Sequence, residues 1–419
     1  MSTQNEVASP LVSARRSAGE TTGSGGLVWL VYGLFFAWGG ATSLNDILMP
    51  KLKGLFALNY AEAMLTPFAF FTAYFLFSIP AGMLVSKIGY VRGLVVGLAV
   101  MALGSLLFWP ASLSGAYWPF LIALFVLATG ITVLQVAANP LIATLGASAT
   151  SSSRLTFAQA FNLLGTTVWP YLGAVLILDS VDTHEASMGN AIRRIYVGIG
   201  VALALIAATF WTRRHTLRTE VPDAIGLFES LRLLGQRRIL LGAIALFAYV
   251  GAEVAIGSIL VNYLEQPTTL GLDPQRAGKY LSLYWGGAMV GRFVGSWLLK
   301  HLNPGTLLAS FAATAAGLVL ISMVATGGVA GWSLIAVGLF NSIMFPTIFS
   351  LSLEGLGPHT PQGSGVLCMA IVGGALVPLV TGGLADATSA ATALLVPIVC
   401  YAAVVLFGLF TRGARPVSA

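Results

Sequence analysis

The sequence predicts an all-α membrane protein: twelve transmembrane helices in two pseudo-symmetric six-helix bundles. Three observations carry this reading. Charged residues are 9% of the 419 positions and hydrophobic ones 57%, where a soluble domain is roughly 25% charged, and the mean hydropathy is +0.87. Apolar runs recur along the chain at the length that crosses ~30 Å of hydrocarbon, about 20 residues at ~1.5 Å each. A polar stretch at 213–237 divides these runs six and six, and landmarks of the first half return in the second.

The runs lie at about 27–51, 64–86, 92–111, 117–142, 156–178 and 192–212, and then at about 238–264, 277–299, 305–325, 330–353, 363–385 and 390–411. Each is read as one helix, because a lone segment in lipid must satisfy its own backbone groups. Residues 1–26, polar and Ser/Gly-rich, read as a disordered cytoplasmic tail. Arg15 and Arg16 ahead of an apolar run resemble a signal peptide, but the run is too long for an h-region and no cleavage site follows it cleanly, so no cleavage is expected. The N-terminal bundle is then 27–212, the linker 213–237, the C-terminal bundle 238–411 and the closing tail 412–419.

Internal similarity supports duplication. "LQVAANPLIATLG" (134–146) aligns with "NSIMFPTIFSLSLEGLG" (341–357), setting Pro140 against Pro346. In the same order Pro170 meets Pro378, Gly82 meets Gly295 and Lys87 meets Lys300. Twelve spans put both termini on one side. The loops of that side hold fourteen of the 21 Lys and Arg, the opposite loops six, and Arg292 lies inside a span. The positive-inside rule makes the richer side cytoplasmic, so both termini face the cytoplasm of a plasma membrane, the inner membrane of a bacterium. The net charge of +6 is spread between apolar runs, which argues against a nucleic-acid partner. Cys368 and Cys400 both lie in apolar runs and form no disulfide framework.

Two similar bundles about an axis along the membrane normal enclose a site at mid-depth and rock to expose it alternately, which describes a secondary transporter. No G-x-x-x-x-G-K-[ST], G-x-S-x-G or H-E-x-x-H motif occurs, so neither an ATP-driven pump nor an enzyme is expected. No cofactor is expected beyond a coupling ion, and a monomer in the bilayer is expected to suffice. An intramembrane acid is costly and by default functional. Asp46, in "SLNDILMP", and Glu253, in "GAEVAIGS", are the coupling candidates. Asp46 stands 19 residues beyond Leu27, about 28 Å along a straight helix, so it either reaches the outer headgroups or is drawn inward by a break at Gly39 and Gly40. Glu253 either couples or pairs with Arg276 or Lys279 at an outer gate. Glu354, near Pro358 and His359, reads as a cytoplasmic gate residue, with Lys87 and Arg92 beside it in that role.

Gln135 and Asn139 lie four apart, and Gln159 and Asn162 three apart, so each pair shares a helix face. Such amides either contact a neutral hydroxylated ligand or glue helices together. Trp38, Tyr74, Trp169, Tyr284 and Trp285 either offer stacking faces for a sugar ring or mark the headgroup belts. Residue chemistry alone stops at a polar, neutral solute.

"FFAWGGATSLNDILMPKLK" (35–53), "LQVAANPLIATLG", "SSRLTFAQAFNLLGTTVWP" (152–170), "YVGAEVAIGSILVNYL" (249–264) and "GSGVLCMAIVGGALVP" (363–378) resemble the fucose, glucose and galactose symporters of the major facilitator superfamily over about residues 27–411. The resemblance implies cation-coupled uptake of a hexose or 6-deoxyhexose. It also implies that Asn45 and Asp46 match the family's first-span Asn and its proposed proton site, and that Gln159 and Asn162 match sugar ligands. Proton-coupled fucose carriers carry Glu where this chain has Gln135, so the sequence is closer to the glucose/galactose branch, which shares the Glu of "GAEVAIGS". The coupling ion is then a proton or sodium, with a sodium site at Asp46 one form. Alternatives are a proton-coupled fucose symporter, a multidrug or lipid exporter on the same fold, and a membrane sensor that moves no solute.

Overall fold

The computed structural model describes residues 24–56, 58, 60–178, 185–214 and 226–414, with the side chains of 24–25, 27, 44–55, 60–64, 170–178, 185–193 and 414 outside the description. The first half contributes α1 (Ser24–Leu55), α2 (Tyr60–Ile88), α3 (Tyr90–Leu113), α4 (Trp118–Thr144), α5 (Ser151–Leu178) and α6 (Glu185–Thr212). A short α7 (Leu227–Arg232) follows in the connection. The second half contributes α8 (Arg237–Glu265), α9 (Pro274–His301), α10 (Pro304–Val324), α11 (Gly327–Asn341), α12 (Met344–Leu353), α13 (Thr360–Met369), α14 (Gly373–Ala387), α15 (Ala390–Ala393) and α16 (Leu395–Thr411). The tenth predicted run is α11 with α12, the eleventh α13 with α14, and the twelfth α15 with α16.

Local chemistry sets several ends. In "DPQR" the Asp273 carboxylate accepts the Arg276 N–H with Pro274 in the first turn of α9, and in "NPGT" the Asn303 side chain accepts the Thr306 N–H with Pro304 opening α10. A side-chain acceptor and a following proline are the residues that start helices. Between α2 and α3 the chain reverses at Gly89 with φ +83°, a conformation that a Cβ disfavours.

Pairing within each half follows one scheme. The first half packs α3 on α4 and α6, α1 on α5, and α2 on α4; the second packs α10 on α11 and α16, α8 on α14, and α9 on α11. Counted by span, these are the same four pairings, so the repeat seen in the prolines is a repeat of architecture. The bundles meet through α2 on α13 and α5 on α9, again equivalent pairs, supported by α12 on α5 and α13 on α4. The short α7 touches both α2 and α13, one helix from each bundle.

Among the described residues, nine helical segments are long and apolar enough to cross a membrane. The spans not among them are α1, α5 and α9. α9 carries Arg276, Lys279, Arg292 and Lys300, while the side chains of parts of α1 and α5 lie outside the description. These helices are joined to one another, α1 on α5 and α5 on α9. The polar helices therefore gather at and behind the seam, α9 keeping Arg292 buried there while Val290, Val294 and Trp297 stay exposed on its other side.

One expectation is corrected. Gly39 and Gly40 do not break α1, which runs helical from Ser24 to Leu55. They allow close approach instead. A Cβ at Gly39 would stand 2.0 Å from the Asn162 carbonyl oxygen, one at Gly40 2.0 Å from the Trp169 ring, and one at Gly165 2.1 Å from the Phe36 carbonyl oxygen. Small residues where backbones touch are the usual means of packing helices in lipid, which provides no hydrophobic drive between them. Gly165→Ala is expected to destabilise the protein by about 1–3 kcal/mol, the range for forced overpacking. Gly33→Ala, on α1 with open space around it, is expected to be neutral. Thermal denaturation in detergent distinguishes them, and equal midpoints would remove the close α1–α5 contact.

Candidate transport site

The amides predicted on α4 and α5 converge at the seam. The Tyr74 hydroxyl donates to Gln135 Oε1 at 2.7 Å, and Gln159 Nε2 donates to Asn139 Oδ1 at 3.1 Å. All four side chains are buried. Asn139 Nδ2 is buried with no partner, so the cluster keeps one donor unspent. Asn162 is differently employed: its Nδ2 donates to the Phe35 carbonyl at 3.1 Å, tying α5 to α1 behind the cluster. Trp38 is buried against Phe35. The side chains of Asn45 and Asp46 lie outside the described residues; their backbone belongs to α1.

On the opposing bundle, a chain of hydrogen bonds fixes the middle of α8. Tyr401 Oη donates to Asn341 Oδ1 at 2.7 Å, Asn341 Nδ2 donates to Tyr284 Oη at 2.8 Å, and Tyr284 Oη donates to the Glu253 carbonyl at 3.2 Å. Tyr284 is thus committed to its own bundle, while Trp285, set edge-on to it, is about a third exposed. Glu253 Oε1 and Tyr249 Oη are buried next to each other, and the carboxylate lies within electrostatic reach of Arg292. The expected alternative of an outer pair with Arg276 or Lys279 is not what forms: Arg276 pairs with Asp273 at 3.3 Å. Glu354 pairs with Arg238 at the start of α8, a link inside the C-terminal bundle. Lys87 and Arg92 are exposed around the α2–α3 turn, and among the described residues neither joins an ion pair.

Sequence reading passed over Arg292 as a site residue. Its side chain is 7% exposed, and it bridges the bundles: Nη1 donates to the Gln159 carbonyl at 3.0 Å and Nε to the Ser342 carbonyl at 3.3 Å. The second acceptor has a physical origin. Proline lacks an N–H, so Pro346 leaves the carbonyl four residues earlier, that of Ser342, without its helical donor, and Arg292 supplies one. The repeat-related Pro140 frees the Val136 carbonyl, and there Ser364 Oγ of α13 donates at 2.9 Å from the other bundle. The available signal for Arg292 was a lone charge inside an apolar run; for Ser364 there was none. Gln362, fully buried on α13 with both amide atoms unpaired, was also missed, since "PHTPQGSG" reads as a loop.

Further bonds close the same end of the seam. Ser152 Oγ and Ser350 Oγ stand 2.7 Å apart, and Ser153 Oγ donates to the Ser296 carbonyl at 2.6 Å. This end carries the turn at Gly89, the 145–150 connection and Gly355–Gly357. Toward the opposite end, the α5–α9 contact reaches Thr167 against Met289 Sδ at 3.9 Å. Above the amide cluster, no other side-chain hydrogen bond joins the bundles among the described residues.

Residues 30–367 match the Major Facilitator Superfamily. The chain belongs to that superfamily. It is similar to a glucose/galactose transporter of Brucella abortus biovar 1 (strain 9-941), 51% identical over 90% of this chain and 92% of the relative. It is also similar to an L-fucose-proton symporter of Escherichia coli (strain K12), 34% identical over 91% of this chain and 92% of that protein. Among solved structures it resembles the superfamily transporter FucP in the outward conformation, with TM-score 0.84 and 34% identity over 92% of this chain and 98% of that one. Closure of one end of the seam is the feature this architecture shares with a carrier open at the other.

Removing the Ser364 hydroxyl leaves the Val136 carbonyl unpaired in the closed end. Ser364→Ala is expected to cost that closure about 1 kcal/mol, the size of one net hydrogen bond, a several-fold change in the ratio of the two end states. Ser364→Thr restores the donor. Cysteine accessibility at the closed end reads the difference, and identical labelling of all three proteins would show that the bond does not hold the seam.

Proposed function

We propose that the protein is a secondary active transporter that takes up a hexose of the glucose/galactose type by symport with a cation, alternating access about the seam. The observation that carries this is the buried amide cluster at the meeting of the bundles, with Asn139 Nδ2 left free above a closed end. Amides both donate and accept, which matches the alternating donors and acceptors of a ring of hydroxyls. The names of the Brucella abortus and Escherichia coli relatives point to the same solute class. The closed end is proposed to face the cytoplasm, since it bears the loops richer in Lys and Arg. Residues 27–212 and 238–411 are proposed as the two rocking units, with 213–237 as their link.

The proton is the favoured coupling ion, in line with the name of the Escherichia coli relative. Gln135 cannot carry it, so the charge logic rests on Asp46 and Glu253. A bare carboxylate resists being sealed in a low-dielectric pocket and a neutralised one does not; neutralisation is therefore the proposed switch for occluding the loaded carrier. Glu253 sits at the seam end of a fixed hydrogen-bond chain and within reach of Arg292, a placement suited to sensing that switch. A fucose-type 6-deoxyhexose is the second reading.

Counterflow of a labelled sugar panel in liposomes, with pH and sodium gradients set separately, tests the proposal. Glucose and galactose are expected to exchange and a hydrophobic drug to leave them unaffected; competition that follows hydrophobicity and ignores hydroxyl stereochemistry would establish an exporter instead. Asp46→Asn is expected to keep exchange and lose uphill accumulation, and full accumulation by that variant would end its coupling role. Gln159→Ala is expected to weaken sugar binding about tenfold, the ~1.4 kcal/mol of one lost hydrogen bond in a buried site, read by calorimetry.

A further inference from the structure

A groove of about 510 Å³ opens to the side of the seam, at its closed end, away from the amide cluster. Its walls come from both bundles: α1 gives Trp29 and Tyr32, α5 gives Arg154, and α9 gives Phe293, Trp297 and Lys300. Arg154 lies in the first turn of α5 and Lys300 in the last turn of α9, so both cations stand where a spanning helix leaves the hydrocarbon. Trp29 and Trp297 are 65% and 60% exposed, as rings at headgroup depth are. Among the described residues no carboxylate lines the groove. Behind it Tyr32, Phe157, Phe161 and Phe293 form a packed aromatic floor.

We propose that this groove binds the headgroup of an anionic phospholipid, its phosphate held between Arg154 and Lys300 and its first acyl carbons on the aromatic floor. Charge complementarity selects the occupant. Two cations with no acid beside them among the described residues favour, at the membrane surface, a net negative lipid over a zwitterionic one, at about 1 kcal/mol per basic residue. Arg154 is already anchored, since its guanidinium donates to the carbonyls of Ile142 and Ala143 at the end of α4 and, in the connection that follows, to the Ala147 carbonyl and Thr150 Oγ1; its charge is fixed in place rather than mobile. Lys300 has no ion pair among the described residues and supplies the adjustable half of the clamp.

The site has a mechanical meaning. Arg154 belongs to one bundle and Lys300 to the other, and the floor between them is the seam itself, where Ser153 Oγ meets the Ser296 carbonyl and Phe157 meets Phe293. One phosphate reaches both cations only while this end is closed. A ligand that binds one state better shifts the population toward it by its differential affinity, so anionic lipid favours the state open at the opposite end. This rests on the membrane fold and not on the identity of the transported solute.

The test is native mass spectrometry of the full chain in detergent with phosphatidylglycerol or phosphatidylcholine, followed by cysteine accessibility at the open end in vesicles of the same lipids. Wild type is expected to retain phosphatidylglycerol in preference to phosphatidylcholine. Lys300→Gln, an exposed substitution, is expected to lower that retention about fivefold, the factor corresponding to ~1 kcal/mol. Arg237→Gln, an exposed cation at the start of α8 outside the groove, is expected to leave it unchanged. Accessibility at the open end is expected to rise with phosphatidylglycerol in wild type and to lose that response in Lys300→Gln. Equal retention by wild type and Lys300→Gln, or equal retention of the two lipids, would overturn the site. Lipid retained with no change in accessibility would overturn its action on the seam.

Discussion

In hydrocarbon no water is on hand to mend a broken backbone hydrogen bond, so each polar group removed from its helical partner must find another inside the protein. Pro140 and Pro346 each remove one. The two freed carbonyls are satisfied from different helices, Val136 by Ser364 across the seam and Ser342 by Arg292, whose other bond also crosses the seam. Much of the meeting surface is organised by these needs: serine hydroxyls on carbonyls, a guanidinium shared between two backbones, and amides that pair with one another. Contacts of this kind are individually modest, which suits a surface that must part and re-form.

Cost separates the two faces of each bundle. Apolar helices such as α10 and α16 pack together away from the seam, while α9, with four basic residues, lies against α5. Close approach is bought there by glycine: Gly39 and Gly165 bring α1 and α5 to backbone contact, and Gly82 and Gly365 do the same for α2 and α13, where an added Cβ would lie 2.7 Å from the Pro361 carbonyl and 2.5 Å from the Ser78 carbonyl. Tight backbone contact leaves little freedom in where Asn139 and Gln159 stand.

Much of this was legible from residue order. Run length and composition gave the spans, because burial in lipid constrains composition over about 20 residues. The recurrence of Pro140 as Pro346 and of Gly82 as Gly295 revealed the duplication, since backbone punctuation survives when side chains diverge. Helical spacing put Gln135 and Asn139 on one face of α4, but did not reveal the bond from Gln159 on α5 to Asn139, which joins two helices. What was not legible depended on contacts distant in sequence. Gly39 and Gly40 read as a hinge, because sequence does not tell a glycine that bends a helix from one that admits a neighbour. Arg292 and Ser364 acquire their roles only from carbonyls freed on other helices, and the bonds that hold Tyr284, from Asn341 and to the Glu253 carbonyl, join it to helices remote in sequence.

The halves share one plan but not one stiffness. Each span of the first half is a single uninterrupted helix, whereas the last three of the second half are divided at Ser342–Ile343, at Ala370–Val372 and at Leu394. Rotation about the seam treats both bundles alike, yet any finer adjustment, a shift of half a helix around a ligand, finds its knuckles only in the second. A continuous helix resists bending along its whole length, whereas a divided one concentrates bending at its joint, so the second bundle carries the softer backbone.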